Sequence, residues 1–415
     1  MRMYRKSGTT GRNRKWINIK QDTTNDNNPR VLESRNRIVA LNKHKSCNYK
    51  NKGLALKKLL ENASKINCKN IIALQPENIF YLTGFWGEGV LLMNDNTTKL
   101  FTPTLEYFRA SEDSKECEII KTEKRGSDGA LLSLISELDN NCFYCIDNAN
   151  YNLINQLKEK TGNNKLIVNE DPFFKTRSIK DEIEVKYINQ AANIIDKLYD
   201  ICLEEIKEGV SERQLQAILV YETFENGGGF PGYKSTLNPF IIASGPNSAL
   251  PHASVSDRRF EKGDFIVVDL TLRVNGYVAD ATRTFGLTTI RPQLKKVYEI
   301  VKDAQRLGLN KCSNKIKIGE VDKTCREYIS ANGFVNEFNH STGHGIGLDV
   351  HEPPWIRPNN EELLIDNMTI TIEPGIYLES NFGVRIEDSI MIDSQNSRTA
   401  GIINFNKFEK DLIII

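Results

Sequence analysis

Phe265-Ile-Val-Val-Asp-Leu-Thr-Leu-Arg-Val-Asn-Gly-Tyr-Val-Ala-Asp-Ala-Thr-Arg-Thr-Phe285 consists of two β-like runs around Asn275-Gly276. That dipeptide is preferred in two-residue hairpin turns because both of its residues tolerate positive φ. The pattern predicts a hairpin in which Asp280 faces Thr271. Thr271 shares a sheet face with Asp269, so Asp269 and Asp280 become diagonal neighbours. Two bare carboxylates placed so close repel, and one must keep its proton unless a cation is bound. The alternative is two solvated aspartates on an exposed face. The apolar run Phe265-Ile-Val-Val directly before Asp269 argues against it.

Outward from this hairpin, chemistry-bearing residues concentrate. Of the five histidines, only His44 lies outside the stretch that holds His252, His340, His344 and His351. The last three sit in Asn339-His-Ser-Thr-Gly-His-Gly-Ile-Gly-Leu-Asp-Val-His-Glu352, whose glycines permit close backbone approach. Further on, Met368-Thr-Ile-Thr-Ile-Glu-Pro-Gly-Ile-Tyr377 and Gly383-Val-Arg-Ile-Glu-Asp-Ser-Ile-Met-Ile392 each carry a glutamate, Glu373 and Glu387, in or at the end of an apolar β-run. An unpaired charge there is expensive. Pairing with Arg385 or Arg283 is one solution, but it serves four carboxylates poorly. Asp269, Asp280, His344, Glu373 and Glu387 together make a hard, oxygen-rich donor set, sufficient for two divalent ions if some carboxylates bridge. Such a set favours Mn²⁺, Co²⁺ or Fe²⁺ over a thiolate-type zinc site, with Zn²⁺ admitted by affinity order alone. Two ions ~3.5–4 Å apart generate hydroxide from a bridging water near neutral pH, which is hydrolase chemistry.

The rest of the chain frames this half. At 415 residues the protein is longer than one hydrophobic core usually accommodates, and its 39% hydrophobic and 26% charged residues suit a soluble globular protein. The absence of a long apolar run predicts no membrane span and no secretory signal. Residues 1–52 hold 14 Lys and Arg against Asp22, Asp26 and Glu33, so the near-neutral whole divides into a basic tail and an acidic body. The tail is Asn-rich and aperiodic, which reads as a disordered extension rather than a nucleic-acid arm. From residue 53 to about 170, short β-runs alternate with helix-like stretches, predicting an α/β domain. Asp171-Pro-Phe-Phe-Lys-Thr-Arg-Ser178 reads as a break. After it, apolar residues from Tyr187 to Ile206 recur at helical spacing, and Ser211 suits the N-cap of a second helix. Eight scattered cysteines fit thiols in a reducing cytosol, and Cys142-Phe-Tyr-Cys145 reads as part of a strand rather than a redox or zinc motif.

In order, Asn247-Ser-Ala-Leu-Pro-His252, Asp269 with Asp280, Gly343-His-Gly-Ile-Gly-Leu-Asp-Val-His351, Ile372-Glu-Pro-Gly375 and Arg385-Ile-Glu-Asp388 closely resemble the motifs of pita-bread metallopeptidases. Within that group they resemble the Xaa-Pro peptidases, prolidase and aminopeptidase P. The resemblance covers about residues 60–415 and is weaker in the N-terminal half, where Gln75-Pro-Glu-Asn-Ile-Phe-Tyr-Leu-Thr-Gly84 carries it. It implies a creatinase-like N-terminal α/β domain at 53–170 and an α+β pita-bread catalytic domain at 171–415. It also implies a cytoplasmic homodimer acting on short proline-containing peptides through a metal-bridging hydroxide. Asp269 would chelate one metal, Asp280 and Glu387 would bridge both, and His344 and Glu373 would complete the second. Glu373 would serve as general base and acid, and His351 would stabilise the oxyanion. His252 and His340 would line the proline pocket, and Arg385 would support the ligands and the substrate. Dipeptide-selective relatives place an arginine soon after the His351 motif. Here Pro353-Pro-Trp-Ile intervenes before Arg357, leaving dipeptidase and longer-peptide aminopeptidase both open. A catalytically inactive peptide- or partner-binding relative is the competing class, but such proteins typically lose metal ligands.

Overall fold

The computed structural model describes residues 52–114, 116–123, 127–231, 238–395 and 401–415. The basic tail, and with it the expectation of a disordered extension, therefore falls outside the described residues, apart from Lys52. A helix at Lys52–Ser64 leads into a six-stranded mixed sheet, in spatial order Glu118–Thr122, Thr98–Pro103, Val90–Met93, Asn70–Ala73, Tyr144–Ile146 and Leu166–Val168. Strand alternation divides its apolar residues between two faces. Ile71 and Ala73 join one hydrophobic cluster, whereas Ile72 joins another with Leu134 and Leu157 from the helices Ser127–Glu137 and Tyr151–Thr161. Cys145 lies within a strand, with its thiol turned to the Asn169 carbonyl at 3.7 Å, while Cys142 points to Asp139. The two cysteines do not converge on a shared site.

The expected break at 171–178 is instead a helix, Asp171–Arg177. Pro172 lies in its first turn, where the missing N–H has no intrahelical partner to lose and the fixed φ is already helical. The next helix, Glu182–Glu205, starts from a capping box made by Asp181 and Glu184, and Glu212–Glu225 starts from another made by Ser211 and Gln214. The long helix buries Ile188, Ala191, Ile195, Leu198 and Tyr199 against the central hairpin, and the Tyr199 hydroxyl donates to the Ala281 carbonyl at 2.6 Å.

That hairpin has the register read from the sequence. Strands Phe265–Val274 and Tyr277–Gly286 pair Thr271 with Asp280 and Asp269 with Thr282, and Phe240–Ser244 adds a third strand. Asn275 and Gly276 both have positive φ, as the tight turn requires. A second antiparallel sheet runs Glu352–Ile356, Gly343–Gly345, Thr369–Ile372, Asp388–Ile392 and Ile402–Asn404, and Gly375–Leu378 pairs with Phe382–Arg385 as a separate ribbon. Paired backbone hydrogen bonds between Thr282 and Glu387 tie the hairpin to the second sheet. Helices Pro292–Lys311 and Ile318–Ala331 cover the ribbon through Val301, Ile329, Ile376 and Val384.

The largest hydrophobic cluster does not respect the change in texture near residue 170. It unites Leu59, Ile71, Phe80 and Phe85 with Ile188, Leu198, Ile266 and Leu348. Phe80 meets Tyr277 at the hairpin tip, with ring centroids 6.5 Å apart. No helix among the described residues is long and apolar enough to cross a membrane.

Candidate active site

Four places in the fold bring the predicted ligands together. The hairpin supplies Asp269 and Asp280, the short strand Gly343–Gly345 supplies His344, and the junctions after Ile372 and Ile386 supply Glu373 and Glu387. Ligand atoms of Asp280, His344 and Glu387 all lie within 4.8 Å of one another, and all three side chains are buried. It is the single cluster of metal-ligating groups among the described residues. Glu373 joins through His344, its Oε1 lying 3.3 Å from Nε2. Asp269 lies to the side, held by Arg385 Nη2 at 2.5 Å.

Hydroxyls and a guanidinium fix these groups in place. Thr271 Oγ1 donates to Asp280 at 2.8 Å, and Thr282 Oγ1 donates to Glu387 at 2.7 Å. Arg385 donates from Nε to Thr282, from Nη1 to the Tyr377 hydroxyl at 2.7 Å, and from Nη2 to Asp269. His340 lies 3.0 Å from the same Tyr377 hydroxyl. The ring centroid of His351 is 4.4 Å from that of His344, although His351 itself is exposed. His252 is exposed as well, and its neighbour Pro251 accepts from Arg385. All nine site residues named from the sequence thus fall in one region, with three ligands converging tightly and Asp269 and Glu373 flanking them.

Burial and mutual repulsion set the protonation of this cluster. Burial, and then the charge of Asp269, push the Asp280 carboxyl well above its ordinary value. Burial, followed by Asp280 and Glu373, does the same to Glu387. Burial opposes a charge on His344, but the hydrogen bond and charge of Glu373 outweigh it and raise the imidazole to about 9. Burial likewise works against the Glu373 carboxylate, which His344, His340 and Arg385 nevertheless hold at about 2. Without a cation, the site therefore compensates its negative charge by keeping protons on Asp280 and Glu387 and a charge on His344. Divalent ions would replace those protons, and the oxygen-rich donors with one imidazole suit such ions.

Sequence reading missed Tyr377 and the three threonines, Thr271, Thr282 and Thr371, that touch the ligands. Thr371 Oγ1 accepts from the His344 backbone N–H at 3.2 Å and lies 3.4 Å from Glu373. The signal for Tyr377 was present in principle. In the ribbon, Arg385 pairs with Gly375 and Gly383 pairs with Tyr377, so Arg385 and Tyr377 are diagonal neighbours on one face.

Residues 186–394 match metallopeptidase family M24, and residues 56–179 match the creatinase/prolidase N-terminal domain. The chain is 35% identical over 360 residues to a Xaa-Pro dipeptidase of Pyrococcus horikoshii, covering 86% of this chain and 98% of that protein. Among solved structures, a Xaa-Pro dipeptidase from Bacillus anthracis superposes with a TM-score of 0.79 at 28% identity, covering 88% of this chain and all of the other. An X-Pro aminopeptidase from Thermotoga maritima gives 0.76 at 28% identity, over 87% of this chain and all of its own. The mixed α/β N-terminal half, the strands around a carboxylate and histidine cluster, and these matches lead to one assignment: the chain belongs to metallopeptidase family M24, with a creatinase-type N-terminal domain and a pita-bread catalytic domain.

Proposed function

We propose that the protein is a dinuclear metal-dependent peptidase that hydrolyses the Xaa-Pro bond at the N-terminus of dipeptides or short peptides. The observation that carries this reading is the buried convergence of Asp280, His344 and Glu387, flanked by Asp269 and Glu373. Asp269, Asp280, His344, Glu373 and Glu387 would hold two divalent ions, with Mn²⁺ and Co²⁺ ahead of Fe²⁺ and Zn²⁺. When bound, the ions supply a deprotonated water near neutral pH and polarise the scissile carbonyl. The chain's own residues do the rest. Glu373 accepts a proton at its carboxylate and returns it to the leaving proline nitrogen. His351 donates a hydrogen bond to the scissile carbonyl oxygen as charge develops there. His340 and Tyr377 form a wall for the proline ring, with His252 at its rim. Arg385, anchored on Tyr377 and Thr282, keeps Asp269 in place.

The domain division at about residue 170 and a cytoplasmic setting belong to the same reading. Its test is hydrolysis of an Xaa-Pro dipeptide, an Xaa-Pro-Yaa tripeptide and an Xaa-Ala dipeptide by protein stripped of metal and then reloaded with Mn²⁺ or Co²⁺. Metal-dependent cleavage confined to the proline peptides is expected. Binding of those peptides without cleavage, in fully loaded protein, would overturn the reading in favour of a binding protein.

A further inference from the structure

Away from the metal-ligating cluster, one group of buried charges has no part in the chemistry described above. Arg177, in the helix Asp171–Arg177, extends one guanidinium nitrogen, Nη2, to two acids: Asp349 Oδ2 at 2.6 Å and Glu352 Oε2 at 2.5 Å. The other oxygen of Glu352 takes Lys180 Nζ at 2.8 Å. The side chains of Arg177, Lys180 and Glu352 are at most 4% exposed. The position of the two acids gives the cluster its meaning. Asp349 and Glu352 bracket Val350-His351, so a single nitrogen closes the two ends of the segment that carries His351. His351 is exposed, and the ladder that pairs His344 with Trp355 and Gly345 with Glu352 shifts register between those two pairs, so Val350 and His351 lie just beyond its last rung.

The clip is itself anchored at both ends. Arg177 Nη1 donates to Asn78 Oδ1 at 2.9 Å, and Asn78 donates to the buried Asp147 at 2.9 Å. On the other side, the Glu352 carboxylate lies under Gly347, where a Cβ would come within 2.5 Å of Oε1. A side chain at Gly347 would have to displace the ion-paired carboxylate. The Gly347 carbonyl in turn accepts from Val278 N at 2.8 Å on the hairpin. Two cations and two carboxylates balance in charge, and truncating one partner would leave a buried ion without compensation.

We infer that Arg177, aided by Lys180, is a positioning residue for His351: it fixes the Asp349-to-Glu352 segment so that the imidazole faces the reacting carbonyl, coupling the N-terminal half of the chain to catalysis. This inference rests on the peptidase reading. The helix that carries Arg177 precedes residues 186–394, which match the metallopeptidase family, and falls within the 56–179 match to the creatinase/prolidase N-terminal domain, so the orientation of a catalytic group is set from outside the strands that hold the metal ligands.

The test is a double-mutant cycle in the metal-loaded full-length enzyme, assayed on an Xaa-Pro dipeptide. Arg177→Ala should lower kcat by about 10- to 100-fold with bound metal retained and KM within about twofold. Arg177→Lys should recover part of the loss. Arg177→Ala combined with His351→Ala should be no slower than His351→Ala alone, because both changes remove the same interaction. Multiplying losses, or full kcat per folded molecule in Arg177→Ala, would overturn the inference. If Arg177→Ala does not fold, Arg177→Lys and Glu352→Gln enter the same cycle. With only five histidines in the chain, isotope-labelled histidine gives a readout independent of turnover. The His351 ring resonance should shift or broaden in Arg177→Lys while that of His252 stays in place, and an unmoved His351 signal would count against the clip. Wild-type enzyme that fails to cleave any Xaa-Pro peptide would refute the peptidase reading, and the resonance measurement would still decide the positioning role.

Discussion

The imidazole rings of His344 and His351 lie 4.4 Å apart with their planes at 56°, yet the two histidines have different surroundings. His344 is buried against Glu373 and converges with Asp280 and Glu387, whereas His351 is exposed on the segment between Asp349 and Glu352. Replacing each should therefore produce different defects. His344→Ala should lose bound metal. His351→Ala should retain it and lower kcat by about 10²–10³, the usual effect of removing one donor to a developing oxyanion. Metal content, melting temperature and kcat measured on one preparation separate the cases; near-normal kcat per folded His351→Ala molecule would exclude the catalytic role.

Glu387 and Asp388 are sequence neighbours with opposite duties. Glu387 faces the ligand cluster, whereas Asp388 is wholly buried against Arg283 at 2.8 Å and also accepts from Gln305, Asn404 and Lys410. Glu387→Ala should abolish metal binding and turnover together. Asp388→Ala should instead destabilise the fold by about 3–5 kcal/mol by leaving a buried guanidinium unpaired, with metal per folded molecule unchanged. Denaturant titration alongside metal analysis checks both.

The site's protonation predicts how stability responds to pH. Asp280 and Glu387 have raised values in the metal-free fold, so above the ordinary carboxylate range near 4 the folded state binds more protons than the unfolded one, and stability falls as pH rises. His344, raised to about 9, contributes stability below its ordinary value near 6.5 that is lost as pH climbs through 9. Glu373, held at about 2, has the opposite sign, but its contribution disappears only on strong acidification. A bound cation takes the place of the retained protons. The gap in melting temperature between metal-loaded and chelator-stripped protein should therefore widen from pH 5 to pH 9, and a constant gap would contradict the assigned ligands.

Tyr377 joins His340 and Arg385 through one hydroxyl. Tyr377→Phe removes that junction while keeping the ring, and should lower kcat/KM for an Xaa-Pro dipeptide by about tenfold, equivalent to about 1.4 kcal/mol, with metal retained. A profile across Xaa-Pro and Xaa-Ala peptides would show whether the loss falls on proline recognition; equal losses on both would place Tyr377 outside the proline wall.

The hairpin and its ligands were legible in the sequence because a two-residue Asn275-Gly276 turn leaves one register, and that register determines the faces of Asp269 and Asp280. The N-cap at Ser211 was equally plain, since its side chain accepts from the backbone N–H of Gln214 three residues on, whereas the Asp181 cap of the longer helix came only with the structure. Local rules failed at Asp171-Pro172, where a proline that ends helices elsewhere begins one. They also could not find the Arg177 clip. Arg177 and Glu352 are far apart in sequence, and only the tertiary fold brings them to 2.5 Å. The threonines behind the ligands were hidden for a different reason. In β-runs, threonine is expected for its shape alone, so nothing in composition marks Thr271 or Thr282 as a hydrogen-bond donor to a carboxylate.

The hydrophobic interior shared by Phe80, Phe85, Ile188, Ile266 and Leu348 bears on how the molecule comes apart. Halves with separate interiors would melt in two steps, and either could be expressed alone. Here each half completes the other's apolar packing, so calorimetry of residues 53–415 should record one transition whose van't Hoff and calorimetric enthalpies agree. A catalytic half cut free at residue 180 would present the faces of Ile188 and Tyr277 to water and aggregate. Evolution of this chain is constrained in the same way: the N-terminal half cannot be exchanged for an unrelated module without rebuilding the surface on which the hairpin tip rests.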